Sequence, residues 1–491
     1  MLALGLPVAL AIAWAVEPGA AKRPSRARAQ ADGDGQLTSI AVLPFADLSA
    51  GQDCRYLSDG IAEELLSSLA AVPGLRVPAR TSAFAAHASG GDARQIAEAL
   101  SVDAILEGSV RSDGRKLRIS AQLVEAESGF QVWAQTFQTE MTDIFEVQET
   151  ITRGILEALR IRLPKAAEAG KKPPHPAAHE AYLKGRHCWH RGSQEALEQA
   201  VRFFEEAIAA DHSYAEAHAG LADALVSLGN QTYLDPKSAY PRARSAAQKA
   251  LQLDGQLADA HAALGSIAFI HDWDFSEAES QFRQAVKLGP ASVTAHHHFA
   301  RFLCAAGRDA EALEQAQAAL GLDPLSVASN VFLAVVHRSA GRHEEGIAQL
   351  ARARALFPQE FRVFYTLIFS LAYAGRPGHA VEAADKAVAI AGRTAFALGA
   401  LGYAKARDGA IDEAKAILAE LKAAAARQYV CPYDIALIHA GLGDVDEAFE
   451  WLERAFAVRD HALLFIKVDA GLDPLRPDPR FEALASKVWP D

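Results

Sequence analysis

The 491-residue sequence has only four cysteines, and they lie far apart along the chain. They are Cys54, Cys188, Cys304 and Cys431. None of them forms the C-x-x-C pair that zinc sites and redox motifs use. The sequence therefore predicts neither a disulfide framework nor a zinc site.

Basic residues are also scarce relative to acidic ones. Lys and Arg number 49 and Asp and Glu number 61, which gives a formal net charge of −12. Proteins that bind nucleic acid neutralise phosphates with Lys and Arg, so this balance predicts no nucleic-acid partner. A hydrophobic content of 50% with 22% charged residues is typical of a globular protein rather than of a bulk membrane protein.

No familiar catalytic or cofactor motif is present. The chain has no G-x-x-x-x-G-K-[ST] phosphate loop, and His179-Glu180 lacks the second histidine of a zincin helix. His187 and His190 lie one helical turn apart, but no third ligand is near them in sequence, so a solvated helix face is favoured over a metal site. We predict no catalytic residue, no cofactor, no metal and no enzymatic activity.

Long hydrophobic runs are limited to the first residues, 1–16, followed by a linker at 17–36. The run is shorter than the roughly 20 residues that span a bilayer. We interpret it as a signal peptide or a truncated membrane anchor, and as the only membrane contact. The protein is predicted to be membrane-anchored or exported, with the periplasmic side favoured and a cytoplasmic location as the alternative.

The sequence does contain a repeat of 34 residues, which is marked by glycines. They are Gly307, Gly341, Gly375, Gly409 and Gly443. A fixed period of this length is typical of a solenoid, because one unit cannot bury its apolar face without a neighbour. Glycine suits the turn after a first helix, and the small residues that keep the same period let a second helix approach closely.

This period and spacing resemble the tetratricopeptide repeat, whose units are two antiparallel helices stacked into a superhelix. Five regular units cover about 293–462, and less regular ones precede them, giving about eight repeats over 177–462. Residues 463–491 are predicted to form a capping segment. Within it, Phe481, Leu484 and Val488 share one face of a helix.

A smaller α/β domain is predicted before the repeats. The apolar run from Ile40 to Phe45 has the length of a strand, and a helical pattern follows it. The remaining elements are a short strand at "GLRVPAR", a helix at "DARQIAEALS", three strands up to "QVWAQTF" and a closing helix from "DIFEVQETI". The predicted order is β-α-β-α-β-β-β-α over residues 38 to 163.

This block resembles the TolB-like amino-terminal module of bacterial signalling proteins. The resemblance is carried by "SIAVLPF", "YLSDGIAEELLSSL", "IAEALSVDAILEGSVR" and "LRISAQLVEAESGFQVWAQTF". It implies a TolB-like domain at 37–163, and a proline-rich linker at 164–176 is predicted to separate it from the repeats as an independently folded unit. The predicted fold is therefore a small α/β domain followed by an all-α tetratricopeptide solenoid.

The resemblance implies a protein-interaction scaffold of the bacterial envelope or of a signalling system. The alternative is the regulatory part of a nucleotide cyclase or winged-helix regulator whose effector domain is expected to be absent. The tetratricopeptide resemblance places positions 2, 5, 9, 12 and 13 of each unit in the groove. The groove residues it implies are Tyr365, Phe369, Tyr373, Phe396, Tyr403 and Tyr433.

These six residues are aromatic, and no Lys/Asn set resembling the family's carboxylate clamp occupies the same positions. We therefore expect the partner to be a protein or peptide segment held by apolar and aromatic contacts, rather than by a charged carboxyl terminus. The alternative is that some of these rings pack between neighbouring helices.

Overall fold

The computed structural model describes residues 37–49, 54–113, 116–140, 144–159, 174–231, 233–427 and 429–490. Thr38–Asp491 forms one compact unit. The predicted anchor at 1–16, the linker at 17–36 and most of the proline-rich linker lie outside the described residues. Within the described ranges, every helix is too short or too polar to cross a bilayer.

The first part of the chain is a mixed sheet with helices. Its elements are β1 (Ile40–Val42), β2 (Ala46–Asp47), α1 (Arg55–Ala70), α2 (Arg80–Ala88), α3 (Ala93–Leu100), β3 (Ala104–Asp113), β4 (Lys116–Glu125), β5 (Gln131–Glu140) and α4 (Ile144–Ala158). The strand order is β1-β3-β4-β5, and β2 pairs with β3 as well. β1 and β2 run parallel to β3, while β3, β4 and β5 are antiparallel.

Two details of this domain differ from the sequence prediction. The strand predicted from Ile40 to Phe45 ends at Val42, because Pro44 has no N–H to donate, and the chain rejoins the sheet only as β2. The predicted strand "GLRVPAR" is reduced to a single bridge between Ser39 and Arg76. Pro78 stops further pairing, and the next residues form helix α2, which the sequence analysis missed.

The rest of the chain is built from consecutive helix pairs. The pairs are α5 (Pro176–Arg191) with α6 (Gln194–Ala210), α7 (Ala215–Asn230) with α8 (Pro236–Leu253), α9 (Ala258–Ile267) with α10 (Phe275–Leu288), α11 (Val293–Ala305) with α12 (Asp309–Leu322), α13 (Val327–Ser339) with α14 (His343–Leu356), α15 (Phe361–Tyr373) with α16 (Pro377–Ala391), α17 (Ala395–Arg407) with α18 (Ile411–Ala424), and α19 (Pro432–Leu442) with α20 (Val445–Ala457). Short connections join the helices of each pair, with a π-helical turn at Ala268–Asp272 between α9 and α10, so the array has the predicted tetratricopeptide architecture.

The repeated glycines lie where the period predicts a turn. Gly307, Gly341, Gly375 and Gly409 have φ angles of 74°, 71°, 72° and 81° at the turn after the first helix of each pair. A side chain at these positions would be strained, because L-residues rarely adopt this left-handed region. This local conformation therefore explains why glycine recurs at the 34-residue spacing.

After α20 the chain turns back along the array. Residues 460–475, which we name the C-terminal segment, form two 3-10 turns at His461–Phe465 and Ala470–Leu475. Besides the preceding α20, these turns contact α11, α15 and α19, which are first helices of their pairs. We name the side formed by these first helices the inner face. The C-terminal segment therefore lies on the inner face rather than extending the array.

The last helix, α21 (Pro479–Val488), has the predicted apolar face, with Phe481, Leu484 and Val488 all buried. Trp489 follows it and stacks on Phe275 of α10, with ring centroids 3.7 Å apart. The end of the chain is thereby fixed to a helix pair near the middle of the sequence.

The α/β domain is in direct contact with the repeats. Helix α1 packs on α5. A second contact involves the turn between α12 and α13, where the Ala79 N–H donates to the Leu322 carbonyl at 2.7 Å and the Ser82 hydroxyl accepts from the Leu325 N–H at 2.8 Å. Independent folding of the two parts stays a prediction, and the two contacts show that they are docked on each other.

Candidate functional site

The inner face places residues of equivalent repeat position beside one another. On α15, Tyr365, Phe369 and Tyr373 are four residues apart, so they share one side of the helix. Residues one period before or after them take the same place on neighbouring first helices. The inner face therefore carries one row of side chains for each position of the repeat.

Four of the six predicted groove residues surround one cavity of about 210 Å³, which we name the aromatic chamber. They are Tyr365, Phe369, Tyr373 and Tyr433. Further lining residues on the helices are Arg301, Val335, Arg338, Ser339, Asp434 and Leu437. The C-terminal segment supplies His461, Ala462, Phe465, Val468 and Asp469. The chamber is thus completed by the chain's own C-terminal segment.

Asp469 holds two of the chamber tyrosines in place. One of its carboxylate oxygens accepts from the Tyr373 hydroxyl and from the Gly471 N–H, and the other accepts from the Tyr433 hydroxyl at 2.8 Å. Burial, together with the nearby Asp469 charge, raises the pKa of both tyrosines well above the usual value. Both hydroxyls therefore stay protonated and donate, which fixes the two rings.

The other two predicted residues lie elsewhere. Tyr403 is only 1% exposed and stacks on Phe369, with centroids 5.5 Å apart, so it belongs to the core between helices. Phe396 lies in the first turn of α17 and is 52% exposed, and it does not line the chamber. The alternative of rings packed between helices thus applies to Tyr403, and the chamber residues Phe369 and Tyr433 are also largely buried, at 6% and 3% exposed.

The sequence analysis missed the charged residues of the chamber. The Arg338 guanidinium lies over the rings of Phe369 and Tyr373, 5.7 and 5.5 Å from their centroids. Arg301 precedes Val335 by one 34-residue period and Phe369 by two. Extending the repeat positions to α11 would therefore have identified Arg301 from the sequence. On the opposite wall, burial raises the pKa of Asp434 to about 7, with smaller contributions from Asp460 and Asp469.

A second cluster of charged side chains joins the α/β domain to the first repeat helix. We name it the interdomain cluster, and it consists of Asp59, Glu63, Arg80, Arg186, His187 and His190. The Glu63 carboxylate accepts from the Arg186 Nε at 2.9 Å and contacts the His190 Nε2 at 3.0 Å. Burial alone would raise the pKa of Glu63, but Arg186 and His190 outweigh it and hold that pKa below its usual range.

The interpretation of His187 and His190 as a solvated helix face is therefore wrong. His187 Nδ1 lies 3.0 Å from Asp59, and the side chain of His190 is 18% exposed. Their partners come from α1, more than 120 positions earlier, so no pattern within α5 indicated them. In the described ranges, no three His, Cys, Asp or Glu side chains come together in a way that would hold a metal ion.

Next to this cluster, the partly buried Glu64 lies beside the buried His179. The Glu64 Oε1 lies 3.4 Å from the His179 Nε2, and Gln148 donates to the other oxygen. Burial raises the pKa of Glu64 to about 8, and burial lowers the pKa of His179 to about 4. Both side chains are therefore mainly neutral at pH 7, as expected where charge is costly.

This pair predicts a loss of stability with rising pH that Glu64→Gln removes. Because the folded-state pKa lies above the unfolded one, the stability present below about pH 4.5 is lost as pH rises towards 8. Glu64→Gln is expected to raise the free energy of unfolding at pH 8.5 by about 2 kcal/mol and to leave it unchanged at pH 4.5. Urea unfolding at both pH values measures this, and equal effects at the two pH values would contradict it.

Comparison with known proteins gives matches to parts of the chain. The family model for the second domain of HilA/YgeH-like transcriptional regulators matches residues 36–153. The protein named "Putative adenylate cyclase 3" from Rhizobium meliloti (strain 1021) is 33% identical over 227 residues, which is 45% of this chain and 39% of that protein. Transcriptional regulator HilA of Salmonella typhimurium is 27% identical over 133 residues, or 27% of this chain and 24% of HilA.

The chain thus spans about two fifths and one quarter of the length of these two relatives. Among solved structures, a tetratricopeptide repeat protein from Parabacteroides merdae superposes with a TM-score of 0.40 at 13% identity. That match covers 56% of this chain and 100% of the other.

Proposed function

We propose that this chain is a non-enzymatic protein-interaction scaffold of the bacterial envelope or of a signalling system. The observation that carries the proposal is the aromatic chamber, where Tyr365, Phe369, Tyr373 and Tyr433 meet around one cavity. Aromatic rings in a desolvated pocket are the usual anchor sites of protein interfaces, because they supply large apolar area at low entropic cost. The chamber has room for one apolar or aromatic anchor side chain of a partner.

Two contacts favour a rigid scaffold over a set of domains joined by flexible linkers. The interdomain cluster docks the α/β domain on the first repeat, and Trp489 fixes the C-terminal segment to the middle of the array. A partner anchored in the chamber is therefore held in a defined place relative to the α/β domain, which we propose to be TolB-like.

The proposal is tested with a photoreactive residue placed at Tyr365, and in a parallel protein at Phe396 as a control. The partner crosslinked from native cells through position 365 is then purified and titrated against the unlabelled chain. Tyr365→Ala should weaken binding about 30-fold, which corresponds to about 2 kcal/mol for an interface hot spot. Phe396→Ala removes an equally aromatic but exposed ring outside the chamber and should leave the affinity unchanged.

The outcome that contradicts this proposal is equal affinity of the Tyr365→Ala variant and the parent protein. Circular dichroism of each variant checks that the helices are retained. Tyr403 is left in place here, because its removal would open a cavity in the core rather than alter the chamber.

A second candidate function is the regulatory part of a nucleotide cyclase or winged-helix regulator. It is favoured by the family model that matches residues 36–153 and by the relative that bears a cyclase name. Under this candidate the chain senses a partner and a separate effector acts. Calorimetric titration of the chain with a nucleoside triphosphate distinguishes the two candidate functions further. Saturable heat of binding would contradict the non-enzymatic proposal.

The cellular location is part of the proposal. The apolar run at 1–16 is the candidate anchor or signal, and we propose a membrane-anchored or exported protein with the periplasmic side favoured. Cell fractionation of the full chain beside a chain lacking residues 1–31 tests this. Equal solubility of the two proteins, with an unprocessed amino terminus, would place the chain in the cytoplasm.

A further inference from the structure

The wall of the aromatic chamber formed by α11 and α13 carries an unbalanced positive charge. In the part of the chain that the structure describes, neither Arg301 nor Arg338 has a carboxylate at ion-pair distance. Other arginines of the same array, such as Arg308 and Arg362, are paired with glutamates. Two guanidiniums without acidic partners in one cavity therefore require an explanation.

The two acidic residues that line the chamber are not paired with these arginines: Asp469 accepts from Tyr373 and Tyr433, and burial raises the pKa of Asp434. His297 and His298 lie beside Arg301 on α11, and His461 of the C-terminal segment faces it. Arg338 is bounded by the rings of Phe369 and Tyr373 instead of by an acid. Since burying a charge is costly unless it is paired, a ligand with a negative group would be stabilised here.

The size of the chamber limits that ligand. Its volume of about 210 Å³ is below the roughly 300–1,000 Å³ of pockets for drug-sized ligands. The C-terminal segment lies on the inner face beside the chamber, so the chamber has room for one small group only. This size fits a small molecule as well as a single anchor side chain, and the aromatic rings favour an apolar or aromatic body.

We propose that the aromatic chamber binds a small organic carboxylate with an apolar or aromatic body, its carboxylate held by Arg301 and Arg338. Guanidinium groups bind carboxylates through paired N–H donors, which makes arginine the expected residue for this role. The body of the ligand packs on Phe369 and Tyr365. This inference rests on the proposed function, since both use the chamber, and the small carboxylate would occupy the place of the partner's anchor.

The carboxylate ligand could be a plain carboxylic acid or an α-amino acid, and Asp434 on the opposite wall should affect the binding of these two classes differently. A plain carboxylic acid needs only the arginines. An α-amino acid also carries an ammonium group, which can donate a hydrogen bond to the Asp434 side chain. Binding of L-phenylalanine tighter than that of 3-phenylpropionate identifies the amino-acid source, and weaker binding identifies a plain carboxylic acid.

The test is calorimetric titration of the full chain with three probes that share one phenylpropyl body. We expect 3-phenylpropionate to bind at least tenfold tighter than 3-phenylpropan-1-ol, and 3-phenylpropan-1-amine to give no saturable heat. Arg338→Met and Arg301→Met should each weaken 3-phenylpropionate at least tenfold and leave the alcohol unchanged. Arg362→Met is the matched control, because Arg362 is an exposed arginine on α15 that pairs with Glu360.

Three results would overturn the inference: no binding of 3-phenylpropionate, equal affinity for the alcohol, or an equal loss in the Arg338→Met and Arg362→Met variants. Circular dichroism and the retained affinity for the alcohol show that each variant is folded. Partner capture through position 365 is measured separately, so failure of carboxylate binding leaves the scaffold proposal standing. Loss of partner capture with intact carboxylate binding would reject the scaffold proposal alone.

Discussion

Replacing Glu63 by glutamine should lower the free energy of unfolding by about 3 kcal/mol, because it leaves Arg186 and Arg80 without their central carboxylate in a mostly buried site. The side chains of Glu63 and Arg186 are 14% and 18% exposed, so water replaces little of the lost interaction. The amide also gives His190 a weaker partner than the carboxylate does. We therefore expect the α/β domain to separate from α5 at lower denaturant concentration than in the parent protein.

Guanidinium chloride unfolding, followed by hydrogen exchange of α1 and α5, measures this effect. Glu149→Gln is the matched control, since Glu149 pairs with Arg153 at the surface and both side chains are more than half exposed. Its effect should stay within about 0.5 kcal/mol. An equally small effect of Glu63→Gln would show that the interdomain cluster adds nothing to docking.

The double variant Glu63→Gln with Arg186→Met provides an internal check. Removing both partners of a buried ion pair costs less than the sum of the single changes, because no uncompensated charge remains. Additive losses would mean that the two side chains act independently. That result would contradict the assignment of Glu63 as the centre of the cluster.

The repeats could be predicted from the sequence because the residues that define them recur at a regular spacing and act within one helix pair. Each glycine of the 34-residue step marks a turn that needs positive φ, and the small residues mark the helix contacts. The same period correctly grouped Tyr365, Phe369 and Tyr373 on one side of α15. It failed for Phe396, which holds position 2 of its unit and points to solvent.

Contacts between distant parts of the chain were not predictable in this way. The partners of His187 and His190 lie on α1, and no period relates α1 to α5. Residues 463–491 were expected to cap the array; α21 packs against α20, and no sequence pattern indicated that the 3-10 turns before it lie on the inner face and complete the aromatic chamber. Tyr403 shares its repeat position with Phe369, and yet it is buried beneath that ring rather than beside it.

The contacts of Trp489 explain how the C-terminal segment keeps its place. Its ring stacks on Phe275 and lies 6.2 Å from the ring of Phe302, and its Nε1 donates to the Leu464 carbonyl at 2.8 Å. Leu464 belongs to the 3-10 turn that begins at His461, a lining residue of the chamber. One indole therefore connects α10, the C-terminal segment and the chamber.

Trp489→Ala should lower the free energy of unfolding by about 3–5 kcal/mol, the usual cost of removing a buried aromatic side chain. It should also increase hydrogen exchange over 461–475 and abolish binding of 3-phenylpropionate, although Trp489 does not line the chamber. Trp489→Phe is the matched control: it keeps an aromatic ring beside Phe275 but loses the bond to Leu464 and part of the indole volume, at a smaller cost of about 2 kcal/mol. Unchanged exchange over 461–475 in the alanine variant would show that the C-terminal segment is held by its own buried leucines and not by the indole.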